Sequence, residues 1–117
     1  MAFEADFVTV VKAVCARAYP DIAPDGVTVP YLIWQALGGE SIYFMDATPA
    51  DKRNTLMQVS VWAKTRAEAL STIRAIEAAL CASSKFTCSP EGEPVSDYEP
   101  DIPLYGSIQR FSIWFDR

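Results

Sequence analysis

Apolar residues along the chain change period several times, and each change marks an element. Phe3, Phe7, Val10, Val11, Val14 and Ala18 recur at three- and four-residue steps. That spacing predicts an amphipathic helix over 3–19, stopped by Pro20. Glu4 and Asp6 lie in its first turn and Lys12 and Arg17 further along, the order a helix dipole favours. After an irregular connector with a turn signal at Asp25-Gly26, YLIWQAL (31–37) is apolar on both alternating faces, as in a central strand. Gly38-Gly39 and then SIYFMDA (41–47) predict a β-hairpin, with DATPADKRN (46–54) as a polar tip.

The next strand, 55–63, alternates cleanly: Met57, Val59 and Val61 on one face, Gln58, Ser60 and Trp62 on the other. Thr65-Arg66-Ala67-Glu68 fits a capping box, and Leu70, Ile73, Ile76 and Leu80 give the second helix its buried stripe. Residues 83–104 hold four prolines, and five acids stand between Glu91 and Asp101 with no base among them. Apart from a short edge strand near 85–89, that composition predicts extended loop, poorly ordered in an isolated subunit. Phe111, Ile113 and Phe115 then alternate with Arg110, Ser112 and Trp114 in a final strand.

The expected architecture is one α+β domain over 1–117. It has a single antiparallel β-sheet with two α-helices packed on one face, in the order helix-β-β-β-helix-β. Val59, Val61, Phe111, Ile113, Leu70, Ile73, Phe7 and Val11 are its candidate core. A chain of 117 residues buries roughly two-thirds of its unfolded surface, enough for a core without metal or disulfide staples.

Composition then narrows the function. No apolar run approaches the ~20 residues of a membrane span. The first segment has acids where a signal peptide needs bases, so export by that route is not expected. Fifteen acids against ten bases give a net charge of −5. That argues against gripping nucleic acid, which requires clustered cations to displace phosphate counterions. Cys15, Cys81 and Cys88 show no CxxC spacing and read as free thiols in a reducing compartment. Histidine is absent, which removes the usual general base and the commonest metal ligand together.

Enzyme templates fail on missing parts. No nucleophile elbow, Walker loop or dinucleotide fingerprint is present, and the acids of 91–101 lack calcium-loop spacing. The expectation is a non-enzyme without cofactor or metal. Trp62 and Trp114 alternate with polar residues, which places both indoles on the sheet face away from the helices if their strands face alike. Two readings suit that setting: a lid folded from 83–104 or the hairpin, or a protein partner, since Trp is enriched at interface hot spots.

The order of Tyr19-Pro20, Pro30-Tyr31, Val59–Ala63, Thr65–Ala69 and Phe111–Phe115 resembles the small tail-completion (tail-terminator, tail-to-head joining) proteins of long-tailed bacteriophages and prophages. The resemblance spans nearly the whole chain. It implies a ring, commonly a hexamer, that caps the tail tube and meets the head connector. DNA would pass through its lumen without specific binding. The implied partners are a second copy, the tail tube protein and head connector proteins, with no membrane. The implied locations are the virion's head-tail junction and, during assembly, the host cytoplasm. The free subunit is expected to be a monomer or weakly self-associating, with the ring appearing only on tails.

No family motif assigns contacts residue by residue. Exposure alone nominates Trp62, Trp114, the tip residues Asp51, Lys52 and Arg53, and Glu91, Glu93, Asp97, Tyr98, Glu99 and Asp101 of the acidic loop as a protein interface. An alternative from another class is a small adaptor or regulatory domain that binds a cellular protein through its sheet face; a carboxylate hydrolase is a third.

Overall fold

In the computed structural model, which describes residues 2–40 and 51–116, the first apolar stripe forms α1 (Ala2–Val14). This helix ends earlier than its pattern predicts. Pro20 pushes Tyr19 out of the helical region, and the chain from Ala18 finds backbone partners elsewhere. Ala18–Pro20 is a short strand, β1, lying parallel to β2 (Tyr31–Ala36). The Leu32 amide donates to the Arg17 carbonyl and the Asp21 amide to that of Trp34, both at 2.8 Å. Cys15 is buried in place of Val14, which is exposed.

Strand β2 pairs antiparallel with β3 (Lys52–Ala63), which begins three residues before the alternating run suggests. Lys52, Arg53 and Asn54 therefore belong to a strand and not to a hairpin tip. The segment 41–47, expected as the partner of 31–37, lies outside the described residues. Both edges of Leu32–Trp34 are taken, by β1 and β3.

The second helix, α2 (Arg66–Ala82), starts where the capping signal puts it. The Glu68 amide donates to the Thr65 hydroxyl at 3.1 Å, satisfying one of the amides a helix start leaves unpaired. Its buried side chains are Ala69, Ile73, Ile76 and Leu80, with Leu70 packed beside them.

The acidic, proline-rich segment is not mainly loop. It forms β4 (Thr87–Pro90) and β5 (Val95–Glu99), both antiparallel to β6 (Leu104–Asp116). β6 offers a free row of backbone donors and acceptors, and pairing with it overrides composition. The prolines fall where no ladder amide is required: Pro90 ends β4, Pro94 lies between the strands, and Pro100 and Pro103 lie in the β5–β6 connection.

The sheet thus runs β1-β2-β3-β6, with β4 and β5 sharing the far edge of β6. It is mixed and not purely antiparallel, and the element order is α-β-β-β-α-β-β-β. Both helices do cover one face. Phe7 meets Trp34 edge-on at 5.6 Å, and Phe3 stacks on Phe115 at 4.2 Å. Ile73, Ile76 and Leu80 join Met57, Val59, Val61, Phe111 and Ile113 in one core. Burying each such side chain contributes roughly 1.5–3 kcal/mol. Among the described residues no helix is long and apolar enough to cross a membrane.

Candidate assembly surface

Strand alternation dictates what the other face displays. Val59, Val61, Phe111 and Ile113 point at the helices, so their neighbours point away. Register aligns these outward residues in rows across β2, β3 and β6. Tyr31, Trp62 and Gly106 form one row; Ile33, Ser60 and Ile108 the next; then Gln35, Gln58 and Arg110. Leu56 with Ser112, and Asn54 with Trp114, complete the face. Tyr31, Ile33, Leu56, Trp62, Ile108 and Trp114 are all half-buried, an apolar stripe partly open to water.

Trp62 and Trp114 thus share the helix-free face, but they are not neighbours. Eight residues separate their rows along β3, roughly 26 Å of strand. Trp62 lies on the Gly106 backbone: a β-carbon built there would come within 2.8 Å of the indole. Its flank borders a cleft of about 190 Å³ lined by Tyr31, Glu99, Ile102 and Leu104. The acidic segment therefore approaches Trp62 from the side, while most of it lies along the sheet edge. Trp114 sits by Asn54, whose amide donates to the Ser112 hydroxyl at 3.0 Å and the Ile113 carbonyl at 3.2 Å. The same Asn54 accepts from the Glu40 amide at 2.9 Å, tying the end of the Gly38-Gly39 turn to β3.

The charged candidates divide between the ends of the sheet. At one end Asp51, Lys52 and Arg53 are exposed, and Lys52 pairs with Asp116, which raises the lysine's pKa. Both partners are solvated, so that pair adds little to stability. At the other end, roughly 36 Å along β3, stand Asp97, Tyr98, Glu99 and Asp101. There the Asp97 carboxylate accepts from the Tyr98 amide at 2.8 Å, and that of Glu99 from the Asp101 amide at 3.3 Å. Tyr98 packs on Tyr105 with ring centres 4.9 Å apart. Glu91 and Glu93 occupy the break between β4 and β5, where Glu93 faces Arg74 of α2 at 3.4 Å.

Sequence reasoning missed Tyr31 and Ile33 as members of the open face, because β2 reads as apolar on both sides, and Ile108 of β6, which lies before the alternating run from Arg110. It also missed the Gly106 seat, although a glycine inside a strand signals close approach of another group. Among the described residues no three Asp, Glu, Cys or His side chains gather as a metal site. Burial raises the pKa of Tyr31, keeping its phenol neutral on the apolar face. The face offers shape and apolar area.

A family profile described as tail completion protein gp17 matches residues 5–116, from the first turn of α1 to the end of β6. No curated protein matches the chain.

Proposed function

The chain belongs to the tail completion protein gp17 family, and from that premise we propose that it caps a finished tail tube as a ring and joins it to the head connector. The family makes it a structural component of a phage tail, and so of the virion. The ring, commonly a hexamer, halts tube growth and leaves a lumen for DNA. A chain of net charge −5 suits a lumen that repels the phosphate backbone and lets it slide.

The observation that carries the surface assignment is the half-exposed apolar stripe on the helix-free face. The sheet edges suit association less well. β1 has three residues and ends at Pro20, while the opposite edge is interrupted between β4 and β5 and carries Pro90, Pro94 and several acids. Short, broken and charged edges resist strand addition. The neighbouring subunit or the tail tube therefore meets the face, with Trp114 and the outer side of Trp62 as anchors. In the host cytoplasm the free subunit remains a monomer until a tail end presents the complementary surface.

Trp114→Ala tests this. The subunit should fold, and assembly on tails should weaken by roughly 1–3 kcal/mol, as for an interface hot spot. In a complementation assay, unjoined heads and tails or overlong tails should accumulate. Normal joining by a folded Trp114→Ala subunit would remove this face from the interface.

A further inference from the structure

Arg74, Glu77 and Cys81 follow one side of α2 at helical steps of three and four residues. The first two reach toward the outer part of the sheet: Arg74 approaches Glu93 at 3.4 Å, and Glu77 accepts from the Gln109 side-chain nitrogen at 2.6 Å. Cys81 is the third of the row, exposed on the last turn of the helix. Cys88 of β4 lies opposite Ile113 of β6, so it shares that residue's helix-facing side, half-buried against the core. The connection between the two cysteines is held at three points. The Ser83 amide donates to the Leu80 carbonyl at 3.3 Å, the Lys85 amide donates to the Ser83 hydroxyl at 3.2 Å, and Phe86 is buried edge-on to Phe3 at 5.6 Å. The fold thereby brings the Cys81 thiol within hydrogen-bonding reach of the Cys88 thiol.

We propose that Cys81 and Cys88 are a site of reversible oxidation, closing a disulfide that ties the end of α2 to the edge strand β4. The oxidant is a low-molecular-weight disulfide such as oxidised glutathione. The accessible Cys81, as its thiolate, attacks one sulfur of that disulfide, forming a mixed disulfide and expelling one glutathione thiolate. Cys88 then loses its proton to solvent, attacks the Cys81 sulfur and expels the second glutathione. Two protein thiols give up two electrons and two protons, and one glutathione disulfide becomes two thiols. Burial, Cys81 itself and the Glu77 carboxylate push the Cys88 thiol up, which makes it the resolving partner and not the attacking one. A phage tail protein leaves the cell in the virion, and disulfides persist on virion surfaces whereas cytosolic thiols are kept reduced. The bridge therefore closes after release; that timing rests on the family, and the bridge itself does not.

The test is made on the full chain, first reduced and then equilibrated at pH 8 with glutathione buffers of increasing oxidised fraction. After trapping, trypsin separates the two thiols into peptides 75–85 and 86–110. Those peptides should be recovered linked, from monomeric protein, with Cys15 still a thiol. The same equilibration in concentrated urea measures how readily the unfolded chain closes this loop. The native chain should favour the bridge at least about tenfold more, as a disulfide that suits the fold does. Cys88→Ser should stop at the glutathione adduct on Cys81. Bridging no stronger in the native chain than in urea would overturn the site. So would a glutathione adduct that persists on Cys81 of the unaltered protein, or Cys81 linked between subunits in place of the internal bridge. None of these results touches the Trp114 face, whose own test is made on assembled tails.

Discussion

Adding one methyl group at Gly106 tests how the open face is built. The backbone at this position lies outside the left-handed region, so alanine is not strained there. The obstacle is the Trp62 ring: an added β-carbon would stand 2.8 Å from Cζ3 and 3.0 Å from both Cε3 and Cη2. Ordinary contact begins at 3.4 Å, so the indole must retreat by roughly half an ångström. Overpacking of this kind costs about 1–3 kcal/mol. Replacing glycine also restricts the unfolded chain, returning about 0.4–1 kcal/mol. The expected net loss for Gly106→Ala is about 1–2 kcal/mol. In a Trp62→Leu background the clash is gone and only the gain remains, so the same methyl should stabilise. Urea unfolding of the four proteins gives the coupling, expected at about 1–3 kcal/mol with the slope m unchanged. Equal effects in the two backgrounds, with coupling under about 0.5 kcal/mol, would refute the packing of Trp62 on Gly106.

Thr65→Ala removes the oxygen that accepts from Glu68 and should lower stability by about 0.5–2 kcal/mol, measured as a shift in the urea midpoint; no shift would mean that water caps α2 equally well. The cysteines should separate by alkylation at pH 8. The exposed Cys81 should react first, because burial shields Cys15 and Cys88 and pushes both thiols up, Cys88 also through the Cys81 beside it. For these two the folded state favours the neutral form, so their contribution is intact below the ordinary thiol value of 9.0 and is lost as pH rises above it. The urea midpoint should therefore fall as pH rises above about 9, and fall less in a Cys15→Ala, Cys88→Ala variant.

Where burial alternates, the sequence was readable. Val59, Val61, Phe111 and Ile113 announce a half-covered sheet, and Thr65 with Glu68 announces the start of α2. What escaped had no pattern to read. β1 is three residues long, and its Ala18 continues the apolar step of α1. Every residue of β5 is exposed, so only its backbone pairing with β6 makes it a strand, and backbone pairing leaves no mark on composition. The surface divides the same way. Parity put both tryptophans on the helix-free face, but their separation depends on register and on the full length of β3. The charged candidates scattered because nominating them by exposure carries no spatial information.

The position of β6 in the topology bears on how the subunit comes into being. β3, β4 and β5 all precede β6 in sequence and all pair with it. Partners across the central ladder are far apart along the chain, 52 residues for Gln58 and Arg110 and 64 for Lys52 and Asp116. Long loops must close before that ladder contributes anything, which places folding in the slow, millisecond-to-second range of non-local β topologies. During synthesis, α1 and α2 emerge with their apolar stripes before the strand that completes their covering exists. Until β6 is made, β3 has an open edge and Val59 and Val61 lack half their lining, so nascent chains are sticky for as long as translation lasts. A cell producing this subunit in quantity therefore benefits from holdase chaperones on the ribosome-bound chain, and slow codons ahead of 104–116 lengthen the interval in which it aggregates.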